Sequence, residues 1–343
     1  METLNVCLIG TGRAGMIHGR NMAKKIEGAK LIALCDPSPE NLKNAQIELG
    51  VEYIYTNYQE ALKNEEIDAV IVVTPTAYHK EIVIAAANEK KHILCEKPLA
   101  MDEQECLDMI KAADRNNVKL QVGFMRRFDE SFQEAKKIVD SGAIGDVVMI
   151  KSLTHGPSEP KPWMFDISIS SGPIGEVNSH DLDTLRWFSG SEVSSIYSIG
   201  GNFRSPEVKE KFPDYYDTVA MNLTFDDGKL GFIEGAQYVQ YGYDARTEIL
   251  GTNGSILVGD QGKHKLSIAT KDGEIKRPAM HSWTYLFKDA YVSEDQAFID
   301  CIRNDTEPLV TGYDGLMAVK LVRVGLQSLQ EKKIVLVDEK GEE

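Results

Sequence analysis

The chain has 343 residues, 42% of them apolar and 27% charged, with 38 basic against 53 acidic residues and a net charge of −15. At roughly 150 residues per domain the length suits two domains, and the composition is globular, unlike that of a disordered chain or a coiled coil. The negative charge argues against a nucleic-acid partner, which needs a positive footprint to displace counterions from phosphate.

Residues 4–9 (LNVCLI) form a compact apolar run, read as a strand buried on both faces. The loop Gly10-Thr11-Gly12-Arg13-Ala14-Gly15 follows, and residues 13–26 carry a helical pattern. Residues 29–35 make a strand that ends at Asp36. Helices follow at 40–49 and 57–64, a strand at 68–73 ending in Thr74-Pro75, and a helix at 77–90. A strand at 91–95 runs into Glu96-Lys97-Pro98, then a helix at 102–116 and a strand at 119–124. Strands alternating with helices of this length predict βαβ units, a doubly wound parallel sheet and an α/β class. Beyond it, residues 129–141 and 173–188 read as helices and 147–153 as a strand. Extended runs joined at Asp226-Asp227-Gly228, Asn253-Gly254 and Asp272-Gly273 predict hairpins of a mostly antiparallel sheet, since φ > 0 is cheap there. Helices near 285–303 and 313–330 close the chain. The expected domains are 1–122 and 123–343.

No run of about 20 apolar residues exists to span a membrane. The opening METLNVCLIG is too short for a signal h-region with a cleavage site. Five cysteines, Cys7, Cys35, Cys95, Cys106 and Cys301, show no C-x-x-C spacing. Neither a disulfide framework nor a zinc cage is expected, and reduced thiols fit the cytoplasm.

The glycine loop has the context a dinucleotide fingerprint requires: a strand before, a helix after, and an acid closing the next strand. Gly10 permits the tight turn, Gly12 the approach of backbone to a pyrophosphate, and Gly15 close helix–strand packing. Asp36 is placed to accept both ribose hydroxyls and repel a 2′-phosphate, and Pro37 and Ser38 follow it rather than Arg or Lys. NAD is therefore expected over NADP. Thr74-Pro75 and Glu96-Lys97-Pro98 sit at strand ends, where ligands of doubly wound sheets bind. By position alone, Lys97 is equally a substrate-hydroxyl contact or a surface lysine before a proline.

Glu176, His180 and Asp183 are spaced i, i+4, i+7 and would share one helix face. A histidine between carboxylates suits proton transfer, a partial metal site or a structural role. His18, His79, His92, His155, His264 and His281 lack such company, and most of them read as ordinary. Arg126 and Arg127 either anchor a carboxylate or brace a domain contact. Tyr241 and Tyr243 either reach a polyol or pack across strands. The proline-rich stretch from His155 to Trp163 reads as a pocket rim.

The combination resembles the glucose-fructose oxidoreductase, inositol dehydrogenase and rhizopine-catabolism (Gfo/Idh/MocA) family over nearly the whole length. The resemblance rests on GTGRAG at 10–15, TPTAYH at 74–79, CEKPLA at 95–100, GFMRRFD at 123–129, HDLD at 180–183, YGYD at 241–244 and YDGLMAV at 313–319. GFMRRFD and YGYD look most like inositol 2-dehydrogenases. The resemblance implies a Rossmann domain followed by an α/β domain on an open, mainly antiparallel sheet. It implies oxidation of a cyclitol or sugar hydroxyl with NAD, Lys97 on the reacting oxygen and His180 as general base. Where the family usually has Asp, this chain has Glu176, expected to orient His180 or contact substrate. Thr74, Pro75, His79 and Glu96 are expected near the cofactor, and Arg127, Asn178, Trp163 and Tyr241 near the substrate. No metal is expected, and a homodimer or homotetramer formed through the C-terminal sheet is implied. Two rival readings remain: a redox-neutral sugar lyase or glycosidase with retained NAD, and a dinucleotide-gated sensor.

Overall fold

The computed structural model describes residues 3–262 and 267–338, so His264 lies outside the described residues. Its strands are β1 (Leu4–Ile9), β2 (Ala29–Cys35), β3 (Tyr53–Tyr55), β4 (Ala69–Val72), β5 (His92–Glu96), β6 (Leu120–Gly123), β7 (Val147–Gly156), β8 (Val193–Gly201), β9 (Thr218–Phe225), β10 (Leu230–Gln237), β11 (Asp244–Gly251), β12 (Ser255–Val258), β13 (Ile268–Ala269), β14 (Ile275–Lys276) and β15 (Val335–Leu336). Its α-helices are α1 (Gly15–Lys24), α2 (Pro39–Leu49), α3 (Tyr58–Leu62), α4 (His79–Asn88), α5 (Glu103–Asn116), α6 (Glu130–Asp140), α7 (Ile167–Ser170), α8 (Gly172–Glu176), α9 (Ser179–Ser189), α10 (Trp283–Leu286), α11 (Lys288–Asn304) and α12 (Gly312–Glu331).

The first unit holds a parallel sheet of order β3-β2-β1-β4-β5-β6. The continuous apolar runs are explained by burial on both faces. Val6 and Leu8 join Leu34 and Ile71 on one side, while Cys7 and Ile9 join Val70 and Val72 on the other. Side chains caps set the helix starts: Ser38 Oγ accepts from Asn41 N–H and Asp102 Oδ1 from Glu105 N–H. Strand β3 is too short to show a period of its own in the sequence.

The division of the chain differs from a single cut near residue 123. One unit comprises Met1–Asp129 with Asp289–Val319, the other Glu130–Lys288 with Lys320–Glu343. The reason is packing. Phe298 and Ile299 of α11 enter the core beside Leu8 and Leu34, and Val310, Leu316 and Val319 enter the core beside Val72 and Cys95. An amphipathic pattern announces a buried face without saying which sheet it will cover.

The second unit holds a seven-stranded sheet of order β12-β11-β7-β10-β9-β8-β15. Only β7 and β10 pair parallel; the other neighbours are antiparallel. Ile150, Ser152 and Thr154 of β7 are buried, while Met149, Lys151 and Leu153 between them are half-exposed, the period of a one-sided sheet. The turns at Gly228 and Gly273 have positive φ as expected. The turn at Asn253-Gly254 does not use it, and instead Gly251 N–H donates to the Gly254 carbonyl.

Candidate active site

In the first unit the glycine loop leaves β1 at the point where strand order reverses between β1 and β4. Gly10 has φ +99°, and a Cβ there would stand 2.2 Å from the Val73 carbonyl oxygen. A Cβ on Gly15 would stand 1.9 Å from the Gly10 carbonyl oxygen, so α1 lies directly against the loop. A Cβ on Gly12 would meet nothing within 4 Å. Gly12 is thus the glycine kept for open space. Helix α1 has no side-chain cap and no acid in its first turn, which leaves its N-terminal dipole to an anionic ligand.

Asp36, one residue past β2, is tied to this loop. Its Oδ2 accepts from Thr11 N–H at 2.8 Å and Thr11 Oγ1 at 2.9 Å, and its Oδ1 accepts from Ser38 N–H at 2.9 Å. A carboxylate offers about four acceptor positions. Three are used, so Asp36 keeps room for one ribose hydroxyl while Thr11 stays bound, where the sequence suggested two. The open space at Gly12, the uncapped helix and this acceptor fit NAD. Thr74 follows β4 and its Oγ1 is buried with no hydrogen-bond partner, a further group suited to a polar ligand.

Lys97 is the first residue past β5 and is half-buried. Its N–H donates to Glu96 Oε2 at 2.9 Å. The Lys97–Pro98 peptide is cis. His79 was expected beside the cofactor, but it is buried. Its Nδ1 lies 2.9 Å from the Pro98 carbonyl and its Nε2 2.9 Å from the Thr74 carbonyl. It therefore sits between the two strand-end loops, and burial lowers its pKa against the pull of those carbonyls, so the neutral ring donates to one of them. Glu96 is likewise turned inward, with Oε1 3.2 Å from His18 Nε2. Arg127 was expected near substrate. It is buried instead, donating to Asp314 Oδ1 at 2.8 Å and to the Leu309 carbonyl, so it braces the start of α12 within this unit.

In the second unit the expected helix over 173–188 is two helices. Glu176 ends α8, the chain breaks at Val177-Asn178, and His180 lies in the first turn of α9. Glu176 and His180 are thus on consecutive short helices joined through Val177 and Asn178, both of right-handed helical φ/ψ, while His180 and Asp183 share α9. The break is held by Asn178, whose Nδ2 donates to Asp181 Oδ2 at 2.7 Å and to the Glu234 carbonyl. Gly235 of β10 makes room, since a Cβ there would stand 1.8 Å from Asn178 Oδ1. Asn178 is fully buried, its Nδ2 supports the helix, and its Oδ1 has no hydrogen-bond partner.

Asp181, which the sequence reading did not single out, is also fully buried and accepts from Ser152 Oγ at 2.5 Å and Thr154 Oγ1 at 2.7 Å. It pins α9 to β7 and so places His180, its neighbour in the chain. Trp163 and Tyr241 are both about half-exposed, and the Tyr241 hydroxyl pairs with His155 Nδ1.

A dinucleotide loop at the switch point and an acid closing the second strand define the first unit as that of an NAD-dependent oxidoreductase. Comparison with known proteins agrees. Residues 4–124 match the oxidoreductase family described as having an NAD-binding Rossmann fold, and residues 132–257 match the Gfo/Idh/MocA C-terminal domain. The chain is 33% identical to myo-inositol 2-dehydrogenase of Thermotoga maritima, covering 98% of this chain and 99% of that one. It is 33% identical to scyllo-inositol 2-dehydrogenase (NAD(+)) of Bacillus subtilis, over 97% and 96%. Its fold is similar to the crystal structure of scyllo-inositol dehydrogenase from Lactobacillus casei with bound NAD(H) and scyllo-inositol, with TM-score 0.90, 31% identity and coverage of 98% and 99%. The chain belongs to the Gfo/Idh/MocA family of oxidoreductases, and its cofactor is NAD.

Proposed function

We propose that this protein oxidises a secondary ring hydroxyl of an inositol to a ketone. His180 accepts the hydroxyl proton as general base. The Lys97 ammonium donates a hydrogen bond to the same oxygen and stabilises the negative charge that develops there. Bound NAD would supply the acceptor for the hydride that leaves the carbon bearing the hydroxyl. The alcohol gives up its hydroxyl proton to His180 as the ketone forms. The protein supplies positioning and proton transfer, and the redox chemistry belongs to the cofactor. Glu176, on the separate helix α8, orients His180 or meets a substrate hydroxyl.

The observation that carries the reading is the placement of Lys97 directly past β5, on the strand-end side of the sheet that also bears the Gly10–Gly15 loop. Similarity to enzymes named as inositol 2-dehydrogenases supports the cyclitol substrate. A homo-oligomer is supported by the half-exposed face of the seven-stranded sheet, where Met149, Lys151, Tyr197, Leu230 and Phe232 line a groove of about 500 Å³. Five free, buried cysteines support a reducing, cytoplasmic setting. No described helix is long and apolar enough to cross a membrane.

The test is Lys97→Ala and His180→Ala in protein that still binds NAD. Both should lose turnover with inositols. Wild-type turnover in either would remove that residue from the reaction.

A further inference from the structure

Beneath the Glu96-Lys97 turn lies a buried cluster that the proposed chemistry does not use. His18 of α1 has Nδ1 2.6 Å from Asp295 Oδ1 and Nε2 3.2 Å from Glu96 Oε1. Asn21 Nδ2 donates to the other Asp295 oxygen at 2.8 Å. Tyr291 of α11 stands edge-on to the His18 ring at 5.4 Å between centroids. Glu294, also of α11, brings a carboxyl oxygen within 4.8 Å of His18 and Glu96. It is fully buried, and both of its carboxyl oxygens lack a hydrogen-bond partner. From β6, Gln121 Nε2 donates to the Glu294 carbonyl. Gly123 clears the space, since a Cβ there would stand 3.0 Å from Glu96 Cδ.

We infer that His18 and Asp295 are positioning residues that fix the Glu96 carboxylate and, through its bond to Lys97 N–H, the placement of Lys97. The inference rests on the reading that Lys97 acts at the substrate hydroxyl. Each link has a direction. Asp295 holds the His18 ring by one nitrogen, so the other must point at Glu96. His18 holds one Glu96 oxygen, so the other points at the Lys97 main chain. The charges agree with this arrangement. Burial pulls the His18 pKa down, but Asp295 and then Glu96 outweigh it and raise it well above the ordinary value. Burial and then the Glu96 charge push the Glu294 carboxyl well above its ordinary value, with His18 opposing.

The test is the kinetics of His18→Gln and Asp295→Asn, measured beside Lys97→Ala. Both variants should bind NAD within about twofold of wild type, lose at least about tenfold in kcat, and show an altered pH profile of kcat/KM. A structural role alone would lower the yield of folded enzyme and leave that profile in place. Gly123→Ala tests the same geometry from β6 should His18→Gln fail to fold, because the added methyl displaces the Glu96 carboxyl. Its kcat should fall likewise. Folded variants with wild-type kcat and pH profile, beside an inactive Lys97→Ala, would overturn the inference and leave the reading of Lys97 intact. Full turnover in Lys97→Ala would overturn both. One equivalent of divalent metal in the purified enzyme, lost on Glu294→Gln, would also overturn it, because the cluster would then be a cation site.

Discussion

Replacing Glu294 by Gln removes one proton-binding group while keeping shape and the option of a hydrogen bond. The carboxyl is fully buried and its folded pKa is raised well above 4.5 by burial and by Glu96. Below about pH 4.5 the folded and unfolded chains both hold its proton. Above that the unfolded chain releases it and the folded chain keeps it, until pH passes the raised value. The folded state then binds one more proton than the unfolded state, so stability falls by about 1.4 kcal/mol per pH unit from this group. Glutamine does not titrate. Above the ordinary glutamate range and below the raised folded value, the variant should therefore gain on the wild type as pH rises, by at most about 1.4 kcal/mol per pH unit. Urea unfolding of both proteins across a pH series measures the difference. Parallel stability curves would show that Glu294 carries no extra proton in the fold.

The glycines of the loop separate by what a methyl group meets. Gly12→Ala should fold normally and lose NAD affinity, whereas Gly15→Ala, with its Cβ 1.9 Å from a carbonyl oxygen, should lose stability first; thermal unfolding with and without NAD distinguishes them. Asp36→Asn should weaken NAD about tenfold or more, the value of a charged hydrogen bond of roughly 1.5–3 kcal/mol, and narrow the preference over NADP, as titration with each cofactor would show. Asp181→Ala removes the acceptor of Thr154 Oγ1 and one acceptor each of Ser152 Oγ and Asn178 Nδ2, which keep bonds to Thr247 and to the Glu234 carbonyl, and should cost about 1–3 kcal/mol, read as a lowered Tm. Unchanged Tm would mean that α9 is held to β7 by packing alone.

Much of this was legible from the residues. The first unit announces itself because a parallel sheet buried on both faces leaves continuous apolar runs, and because its loop needs glycine at defined places. Asp36 was visible from its distance to Gly15, but its bonds to Thr11 were not, since they depend on how the loop folds back. The break between Glu176 and His180 was hidden because its cause is the buried contact of Asn178 with β10, far away in sequence. The His18 cluster had one signal in the sequence. Glu294 and Asp295 fall between Tyr291 and Phe298 on the apolar face of α11, and acids on a buried face require partners. Their partners lie 277 residues away in the case of His18 and Asp295, a separation that no local pattern reveals. Arg127 and His79 show how structural bonds stay hidden in a motif. Both stand in motifs that suggest ligand contact, and both are used to brace loops.

The most direct test of the central claim is NADH formation by the purified protein with a panel of inositol isomers and aldoses, supplied with NAD⁺ or NADP⁺ in turn. The account predicts turnover of at least one inositol with NAD⁺, little or none with NADP⁺, and none in the Lys97→Ala or His180→Ala enzyme. NAD binding without NADH from any inositol would contradict it.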